Sequence, residues 1–264
     1  MTAEMMQIGT LTAALEAFGI KHAARQPADM LEVAERNEIG NREFLARLLE
    51  CEVDGRNARK RKRNYAAAHF PPSVRPIEGL DASELEGGIT AGQIEQLADL
   101  GWPGAHGNVV LAGPPGLGKT MIALGLGPKA VDEGHAVAFE RMESLIDILD
   151  RAEVGRKAGF RLRYLRKAQP CIVDEIGYTP ITKNQANRFL GFVSDAYESS
   201  SMILATNKEI TQWEELMGDQ VLTTAMLDRL CEASHKRSNA KFHIMRSWAH
   251  RGRSTCDSAA PDFA

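Results

Sequence analysis

Residues 108–120 read NVVLAGPPGLGKT, a short apolar run followed by a glycine-rich turn and the pair Lys-Thr. The segment Gly113–Thr120 fits the pattern GxxxxGK[ST] completely, and it lies between a predicted strand and a predicted helix, as a phosphate-binding loop requires. Glycines let backbone amides approach phosphate oxygens without a Cβ clash, and the next helix directs its free amides at the same charge. The stretch therefore predicts an α/β domain that binds the phosphates of a nucleotide.

Two side chains at the end of this loop predict ATP and Mg²⁺ as its ligands. The ammonium of Lys119 would reach the β- and γ-phosphates, and the hydroxyl of Thr120 would coordinate Mg²⁺. A chance Gly-Pro turn is the alternative, which the complete pattern and its flanks disfavour. The predicted nucleotide-binding residues are Gly113, Pro114, Pro115, Gly116, Leu117, Gly118, Lys119, Thr120 and Met121.

A second motif, Cys171–Glu175, is an apolar run that ends in two acids. Downstream of a phosphate-binding loop this pattern is typical of the strand that serves the metal and the attacking water. Asp174 would hold Mg²⁺, directly or through water, and Glu175 would act as the general base. A strand that merely ends in a charged turn is the alternative, and the neighbouring loop makes it the weaker one.

Asn207 and Arg229 complete the predicted catalytic set. Asn207 follows the apolar run Met202–Thr206, and polar groups at the ends of parallel strands line the ligand crevice, so it would position the water or touch the γ-phosphate. Arg229, in the box Leu227–Leu230, would stabilise phosphoryl charge in the site of a neighbouring subunit. The alternatives are an asparagine in an ordinary turn and a helix-surface Asp–Arg pair.

The chain divides into a helical part, a linker and an alternating part. Apolar residues recur at helical spacing within residues 1–68, which predicts a small helical N-terminal domain. Residues 69–92 are rich in proline and glycine and predict a linker. Across residues 93–248 strands alternate with helices, which favours a parallel sheet flanked by helices. Residues 249–264 are predicted to be a disordered tail.

Within the alternating part the predicted strands are 108–112, 136–139, 171–174, 202–206 and 242–245. Helices are predicted at Lys119–Gly134, Glu143–Asp150 and Asn184–Tyr197. The first of these contains Gly125, Gly127 and Pro128, and we expect it to break early because such residues interrupt helices.

Charge and cysteine content exclude several classes of protein. The formal net charge is −3, so the chain as a whole is not a basic nucleic-acid binder. Its 4 cysteines are scattered without CxxC spacing, which argues against a zinc site or a disulfide framework and favours the cytoplasm. The apolar runs are too short to span a bilayer and no signal-peptide pattern opens the chain, so no membrane partner is expected.

Positive charge is nevertheless concentrated in two clusters, which create local potentials that the net charge hides. The first cluster contains Arg56, Arg59, Lys60, Arg61, Lys62 and Arg63. The second contains Arg151, Arg156, Lys157, Arg161, Arg163, Arg166 and Lys167. Either cluster could be an ordinary solvated helix face, which is the usual state of a charge run.

The motifs taken together resemble one family. The loop GPPGLGKT, the segment Ile172–Tyr178, the pair Thr206-Asn207 and the box Leu227–Leu230 are similar to those of IstB-like AAA+ ATPases. Members of this family are transposition helper proteins related to the DnaC helicase loaders and DnaA initiators. Similarity outside the motifs involves Trp213, Gly218–Leu222 and Ser234-His235, and it extends over most of residues 5–246.

The resemblance implies a small helical N-terminal domain before an AAA+ P-loop domain. It also implies a homo-oligomer with shared ATP sites that assembles on duplex DNA and stimulates a cognate transposase. The candidate DNA contacts are Arg156, Lys157, Arg161, Arg163, Arg59, Lys60 and Arg61. We find no base-reading motif, so the expected contact is with the DNA backbone and shape.

Three other functions are alternatives, and two of them fit these residues less well. A helicase loader of the DnaC type shares the AAA+ core and would differ in its partner, a replicative helicase. A nucleotide-binding scaffold without turnover would need neither Glu175 nor Arg229, and a small-molecule kinase would have no role for Asn207. Near the end of the chain the resemblance weakens, and Arg246 is a candidate for the second sensor of the nucleotide.

Overall fold

The computed structural model describes residues 8–80, 89–104, 106–196 and 199–235. By the contacts between its residues the chain divides into two compact units, Met1–Arg63 and Asn64–Ala264, called unit 1 and unit 2 below. The predicted domain limits at residues 68, 92 and 248 stay predictions.

Unit 1 is built from helices joined by short turns. Its helices are α1 (Ile8–Ala17), α2 (Pro27–Arg36) and α3 (Asn41–Ala68), the last of which continues into unit 2. Pro27 stands at the first position of α2, where its missing amide costs nothing and its fixed φ suits a helix. The buried carboxylate of Glu52 on α3 accepts hydrogen bonds from the amides of His22 at 2.5 Å and Ala23 at 3.2 Å. These bonds tie α3 to the turn that precedes α2.

Unit 2 contains, among the described residues, a 4-stranded parallel sheet in the order β1-β4-β3-β2. Its strands are β1 (Val109–Ala112), β2 (Ala138–Arg141), β3 (Cys171–Ile176) and β4 (Met202–Thr206). Within β1, Val109 and Leu111 join one apolar core. The alternating residues Val110 and Ala112 join a second core on the other face. The predicted α/β fold with a parallel sheet flanked by helices is therefore confirmed.

Helices connect these strands. Because the strands are parallel, their carboxyl ends all lie at one edge of the sheet, where α/β proteins bind ligands. The helices are α4 (Ala91–Ala98), α5 (Gly101–Gly104), α6 (Lys119–Asp132), α7 (Met142–Arg151), α8 (Arg156–Leu165), α9 (Lys183–Ala196), α10 (Trp213–Met217) and α11 (Gln220–His235).

Helix α6 is continuous, so the prediction that its glycines and Pro128 would break it early is wrong. The glycines instead provide space for a neighbouring segment. A Cβ on Gly125 would lie 3.2 Å from Ile77 Cα and 3.3 Å from the carbonyl oxygen of Arg75, which is tighter than ordinary contact. Ile77 itself is buried in the core that α6 helps to form. The first part of the predicted linker is therefore packed against α6.

Two other expectations concern strand positions. The predicted strand 136–139 lies two residues further along the chain, at Ala138–Arg141. The predicted strand 242–245, Arg246 and the predicted tail 249–264 all lie outside the described residues. Of the helices in the described ranges, none is long and apolar enough to cross a membrane.

Candidate nucleotide-binding site

The loop between β1 and α6 carries the predicted phosphate contacts. Gly116 and Gly118 have φ angles of 91° and 76°, in the left-handed region that disfavours residues with a Cβ. Gly118 immediately precedes α6, so the chain enters the helix through a conformation that glycine allows. Leu117 is buried in the apolar core, which anchors the loop, while Pro115 and Gly116 line a cavity. The backbone of this loop is thus presented to the cavity.

Lys119 is the first residue of α6 and is only 5% exposed. Its Nζ donates a hydrogen bond to the carbonyl oxygen of Pro114 at 2.6 Å. Burial lowers the pKa of the Lys119 ammonium, and the nearby Asp174 carboxylate acts in the opposite direction. The cation is held within the loop, where a phosphate oxygen, which is itself charged, would bind it more strongly than the carbonyl oxygen does.

The two predicted metal ligands meet in the structure. The hydroxyl of Thr120 at the start of α6 donates a hydrogen bond to Asp174 Oδ1 in β3, over 3.2 Å. A hydroxyl and a carboxylate are ligands that suit Mg²⁺, which takes its remaining ligands from water and phosphate. The residues present therefore fit Mg²⁺.

Glu175 follows Asp174 in β3 and has a left-handed backbone, with φ of 60°. The pairing of β3 with β4 is irregular between Val173 and Ile176, so Glu175 is displaced from the regular ladder. Non-glycine residues with such φ angles are uncommon and cluster at functional sites. The side chain of Glu175 is partly exposed and reaches the same cavity as Asp174. This position suits a carboxylate that acts on a water molecule.

Arg141 is a residue of this site that the sequence analysis did not single out. Its Nε lies 3.6 Å from Glu175 Oε2, and it ends β2 in register with Asp174 of β3. The signal was its position, because a charged residue that ends a buried parallel strand lies at the ligand edge of the sheet. Arg141 therefore gives the candidate base a cationic partner.

Strand β4 brings the next predicted residues to the same edge. The hydroxyl of Thr206 donates to the carbonyl oxygen of Ile176 at 2.8 Å and accepts from the amide of Lys208 at 3.0 Å. These bonds fix the turn that carries Asn207. The cavity has a volume of about 440 Å³, and its lining includes Gly116, Lys119, Thr120, Met121, Asp174, Glu175, Tyr178 and Asn207. The structure thus brings the predicted Lys119, Thr120, Asp174, Glu175 and Asn207 together.

A second cavity of about 350 Å³ shares Thr120 and Met121 with the first. Its other walls come from Leu124 of α6 and from Val74 and Leu80 in the first part of the predicted linker. Most of the exposed surface in this cavity is apolar. The sequence analysis missed these wall residues, because nothing in a proline-rich segment shows that it folds back onto α6.

Arg229 lies apart from the cavity of its own chain. It is half-buried on α11, its guanidinium donates to the carbonyl oxygen of Ala225 at 2.7 Å, and it is not among the residues that line the cavity. The structure of one chain therefore does not bring Arg229 to the other predicted catalytic residues.

A family model described as "IstB-like ATP binding protein" matches residues 13–247. The chain belongs to this family. The "Insertion sequence IS21 putative ATP-binding protein" of Pseudomonas aeruginosa is 37% identical over 83% of this chain and 82% of that protein. The "Insertion sequence IS5376 putative ATP-binding protein" of Geobacillus stearothermophilus is 33% identical over 78% of this chain and 81% of that protein.

Solved structures agree with the fold of this IstB-like chain. DnaI has a TM-score of 0.51 at 14% identity, over 67% of this chain and 95% of that chain. A DNA replication initiation factor has a TM-score of 0.52 at 11% identity, over 67% of this chain and 50% of that chain. At such identities the likeness shows the fold alone, a parallel sheet flanked by helices.

Arg161 of the IstB-like chain is an internal residue. Its side chain is 12% exposed, and its Nε lies 2.7 Å from Glu140 Oε1. Its guanidinium also donates to the carbonyl oxygens of Ala67 at 2.7 Å and Phe139 at 3.0 Å. These bonds hold α8 to the strand β2 and to the end of α3, and the DNA contact of Arg161 stays a prediction.

The other candidate DNA residues are exposed. On α8, the guanidinium carbons of Arg156 and Arg163 lie 5.8 Å and 4.4 Å from the ring centroid of the exposed Phe160. These residues and the exposed Lys157 form a basic surface with an aromatic centre, called the α8 patch below. On α3, Arg59, Lys60 and Arg61 are exposed in unit 1.

Proposed function

We propose that this IstB-like protein is a Mg²⁺-dependent ATPase that assembles on duplex DNA and helps a transposase to select its target. The observation that carries the proposal is the meeting of Lys119, Asp174 and Glu175 in one cavity at the ligand edge of the sheet. A phosphate-binding loop, a metal ligand and a base within one cavity are the parts that phosphoryl transfer to water requires.

The triphosphate of ATP would lie along the loop that precedes α6. The amides of Gly116 and Gly118 and the ammonium of Lys119 would bind its oxygens, and Thr120 and Asp174 would hold Mg²⁺. When bound, Mg²⁺ neutralises the negative charge that develops on the phosphates. The base of ATP would enter the second cavity, whose apolar walls suit a flat heteroaromatic ring.

Glu175 would orient the attacking water and accept its proton. Its displaced position in β3 directs it to the cavity, and the ion pair with Arg141 restricts where its carboxylate can lie. Asn207, held by the hydrogen-bonded turn after β4, would position the same water or touch the γ-phosphate. Held in this way, these residues would orient the attacking water within the cavity of one chain.

The remaining charge would come from a second subunit. Arg229 lies outside the cavity of its own chain, and an arginine supplied across an interface is a common way to complete such a site. A head-to-tail arrangement of subunits would place the Arg229 of one chain at the cavity of the next. We therefore propose that the chain hydrolyses ATP as a homo-oligomer.

Duplex DNA is the partner that we propose for the α8 patch. Arg156, Lys157 and Arg163 have no carboxylate partner among the described residues, and cations of this kind neutralise phosphates regardless of sequence. Support for a transposase comes from the relatives, whose printed names associate them with insertion sequences, which move by transposition. The likeness to DnaI shows only the fold, so these relatives favour the transposition helper over a helicase loader.

The substitution Glu175→Gln tests the proposal, because it keeps the size and hydrogen bonding of the side chain but removes the base. We expect ATP binding to be normal, hydrolysis to fall by about 10²–10⁴-fold, and the ATP-bound assembly to persist on a labelled duplex. ATP affinity, phosphate release and DNA retention are measured with and without duplex, and strand transfer is measured with the purified transposase of the same element. Glu95→Gln, at an exposed position on α4, is the control. Hydrolysis near the wild-type rate in Glu175→Gln would contradict the mechanism.

A further inference from the structure

Unit 1 contains a small surface cavity between α3 and the loop that follows α1. Its volume is about 150 Å³. Five cationic side chains line it, namely Lys21, Arg56, Arg59, Lys60 and Arg63. This cavity uses no residue of the nucleotide site, and the proposed hydrolysis gives it no role.

The helical repeat explains why these cations face one cavity. Arg56, Arg59, Lys60 and Arg63 are spaced at i, i+3, i+4 and i+7, which places them on one face of α3. The neighbouring Arg61 and Lys62 belong to the same basic run but do not line the cavity. The basic run thus has a face that borders the cavity and a face that does not.

Gly55 allows the opposite wall to approach α3. A Cβ at Gly55 would collide with the imidazole ring of His22, which also lines the cavity. The Nε2 atom of His22 is buried and has no hydrogen-bond partner in the described part of the chain. The loop that follows α1 is therefore in direct contact with α3 beside the cavity.

The charges in the wall do not balance. Glu52 is the one carboxylate that lines the cavity, and it accepts a hydrogen bond from Arg56 Nε at 2.6 Å. It also accepts the amides of His22 and Ala23, so its bonding capacity is largely used. Lys21, Arg59, Lys60 and Arg63 have neither an ion pair nor a hydrogen bond among the described residues.

Four unpaired cations around one small space repel each other, and an anion between them would offset part of that repulsion. The guanidinium group binds phosphate oxygens through paired N–H donors, and lysine adds a mobile charge. Ligand pockets for whole drug-sized molecules measure about 300–1,000 Å³, so this cavity suits a single anionic group.

We propose that this cavity of unit 1 binds one phosphate group, supplied by the backbone of duplex DNA. The inference rests on the proposed function, because DNA binding supplies the phosphate, but it does not involve the nucleotide site. It gives Arg59 and Lys60 a DNA role that Arg61 does not share. The contact is independent of base sequence, since it reaches only the sugar-phosphate backbone.

The test compares two double variants of the full chain that remove the same charge from the same helix. The pair Arg59→Ala with Arg63→Ala removes two cations from the wall of the cavity, whereas Arg61→Ala with Lys62→Ala leaves the wall unchanged. Binding of a fluorescent duplex is measured by anisotropy in the presence of ATP across a salt series. We expect the cavity pair to weaken binding about tenfold or more and to flatten the log–log salt slope by about 0.9 for each bound subunit, the value for one phosphate contact.

The control pair is expected to keep the wild-type slope, and equal melting temperatures of both pairs would show that each is folded. A second arm titrates inorganic phosphate against chloride at constant ionic strength and follows the His22 ring by NMR. We expect phosphate to shift this resonance in the wild type and not in the cavity pair.

The two arms separate the possible failures. Equal effects of the two pairs on the slope would overturn the cavity as a phosphate site, while DNA binding itself would stand. If the wild type with ATP binds no duplex, the proposed function fails. A phosphate-dependent shift of His22 would then overturn the assignment to DNA in favour of free phosphate, and no shift would overturn the site altogether.

Discussion

At the scale of single residues, Glu52 links acidity to the stability of unit 1. Burial opposes its ionisation, but hydrogen bonds from Arg56 and from the amides of His22 and Ala23 outweigh it and lower the pKa of Glu52 from 4.5 to about 2. A depressed pKa stabilises the fold above the ordinary value, and this stabilisation is lost as the pH falls from 4.5 towards 2. Glu52→Gln should therefore be less stable at neutral pH and less sensitive to acid.

Hydrogen exchange at the amides of His22 and Ala23 measures this effect locally. In the wild type, protection at these amides should decrease as the pH falls through the window below 4.5, after correction for intrinsic exchange. In Glu52→Gln it should start lower and change little. Glu50→Gln, at an exposed position on the same helix, should follow the wild type. A wild-type loss of protection that persists in Glu52→Gln would contradict the argument.

Single residues also show where sequence reasoning reaches its limit. Lys119 and Asp174 could be predicted because their motifs specify both a chemical role and a local backbone. Sequence reasoning could not assign the role of Arg161, because residues of one basic run have two roles. Arg161 forms an internal ion pair with Glu140, whereas its neighbours are the exposed cations of the α8 patch. Only the packing of α8 separates these two roles. Arg141 was missed for a related reason, since its contact with Glu175 depends on which strands are neighbours.

At the scale of elements, one wall of the nucleotide site is formed by α6 and by the first part of the predicted linker, which packs against it. Gly125→Val should push the backbone at Arg75 and Ile77 away from α6 and destabilise the fold by about 1–3 kcal/mol. It should also weaken ATP binding, since this segment lines the second cavity. Gly191→Val, on α9 with nothing within 4 Å of its Cβ, is the control and should change stability by less than about 0.5 kcal/mol.

Urea denaturation and calorimetric titration with ATP measure the two effects. Because both substitutions replace a helical glycine by valine, the change in helix propensity is the same, and the difference between them reports the contact with the segment. Equal stabilities of the two variants would show that the segment does not rest on α6. Unchanged ATP affinity in Gly125→Val would remove the second cavity from the nucleotide site.

Elements differ in how far the sequence predicts them. Strand β1 and the start of α6 could be predicted closely, because a buried apolar run and a glycine-rich turn mark them. The end of α6 could not, because its glycines and Pro128 have the local signature of a break while tertiary packing keeps the helix intact. Propensity is a weak guide wherever burial compensates for it, and most of α6 is buried.

At the scale of the whole molecule, positive charge is segregated although the net charge is only −3. Groups of cations without an ion pair lie on the α8 patch of unit 2 and around the cavity of unit 1 for which we propose a phosphate ligand. An assembly would repeat both surfaces once per subunit, so that weak contacts with phosphates add along a duplex. This repetition explains how a nearly neutral chain could bind DNA.

The same assembly makes a prediction about shared ATP sites. Lys119→Ala removes the phosphate-binding cation but keeps Arg229, whereas Arg229→Ala keeps a complete cavity. In a head-to-tail oligomer mixed at equal amounts, about a quarter of the interfaces would join the intact cavity of one variant to the intact Arg229 of the other. Two inactive proteins should therefore regain a substantial part of the wild-type ATP turnover when mixed. Phosphate release across a series of mixing ratios measures this recovery.

The matched control mixes Lys119→Ala with Glu175→Gln. Both substitutions damage the same cavity, so no interface in that mixture contains an intact one, and turnover should stay at the level of the separate variants. Recovery in the first mixture and none in the second would require two chains per site. If the first mixture stays inactive at every ratio although the variants co-assemble on DNA, Arg229 does not act across the interface. The half-buried Arg229 would then serve only α11, through its hydrogen bond to Ala225.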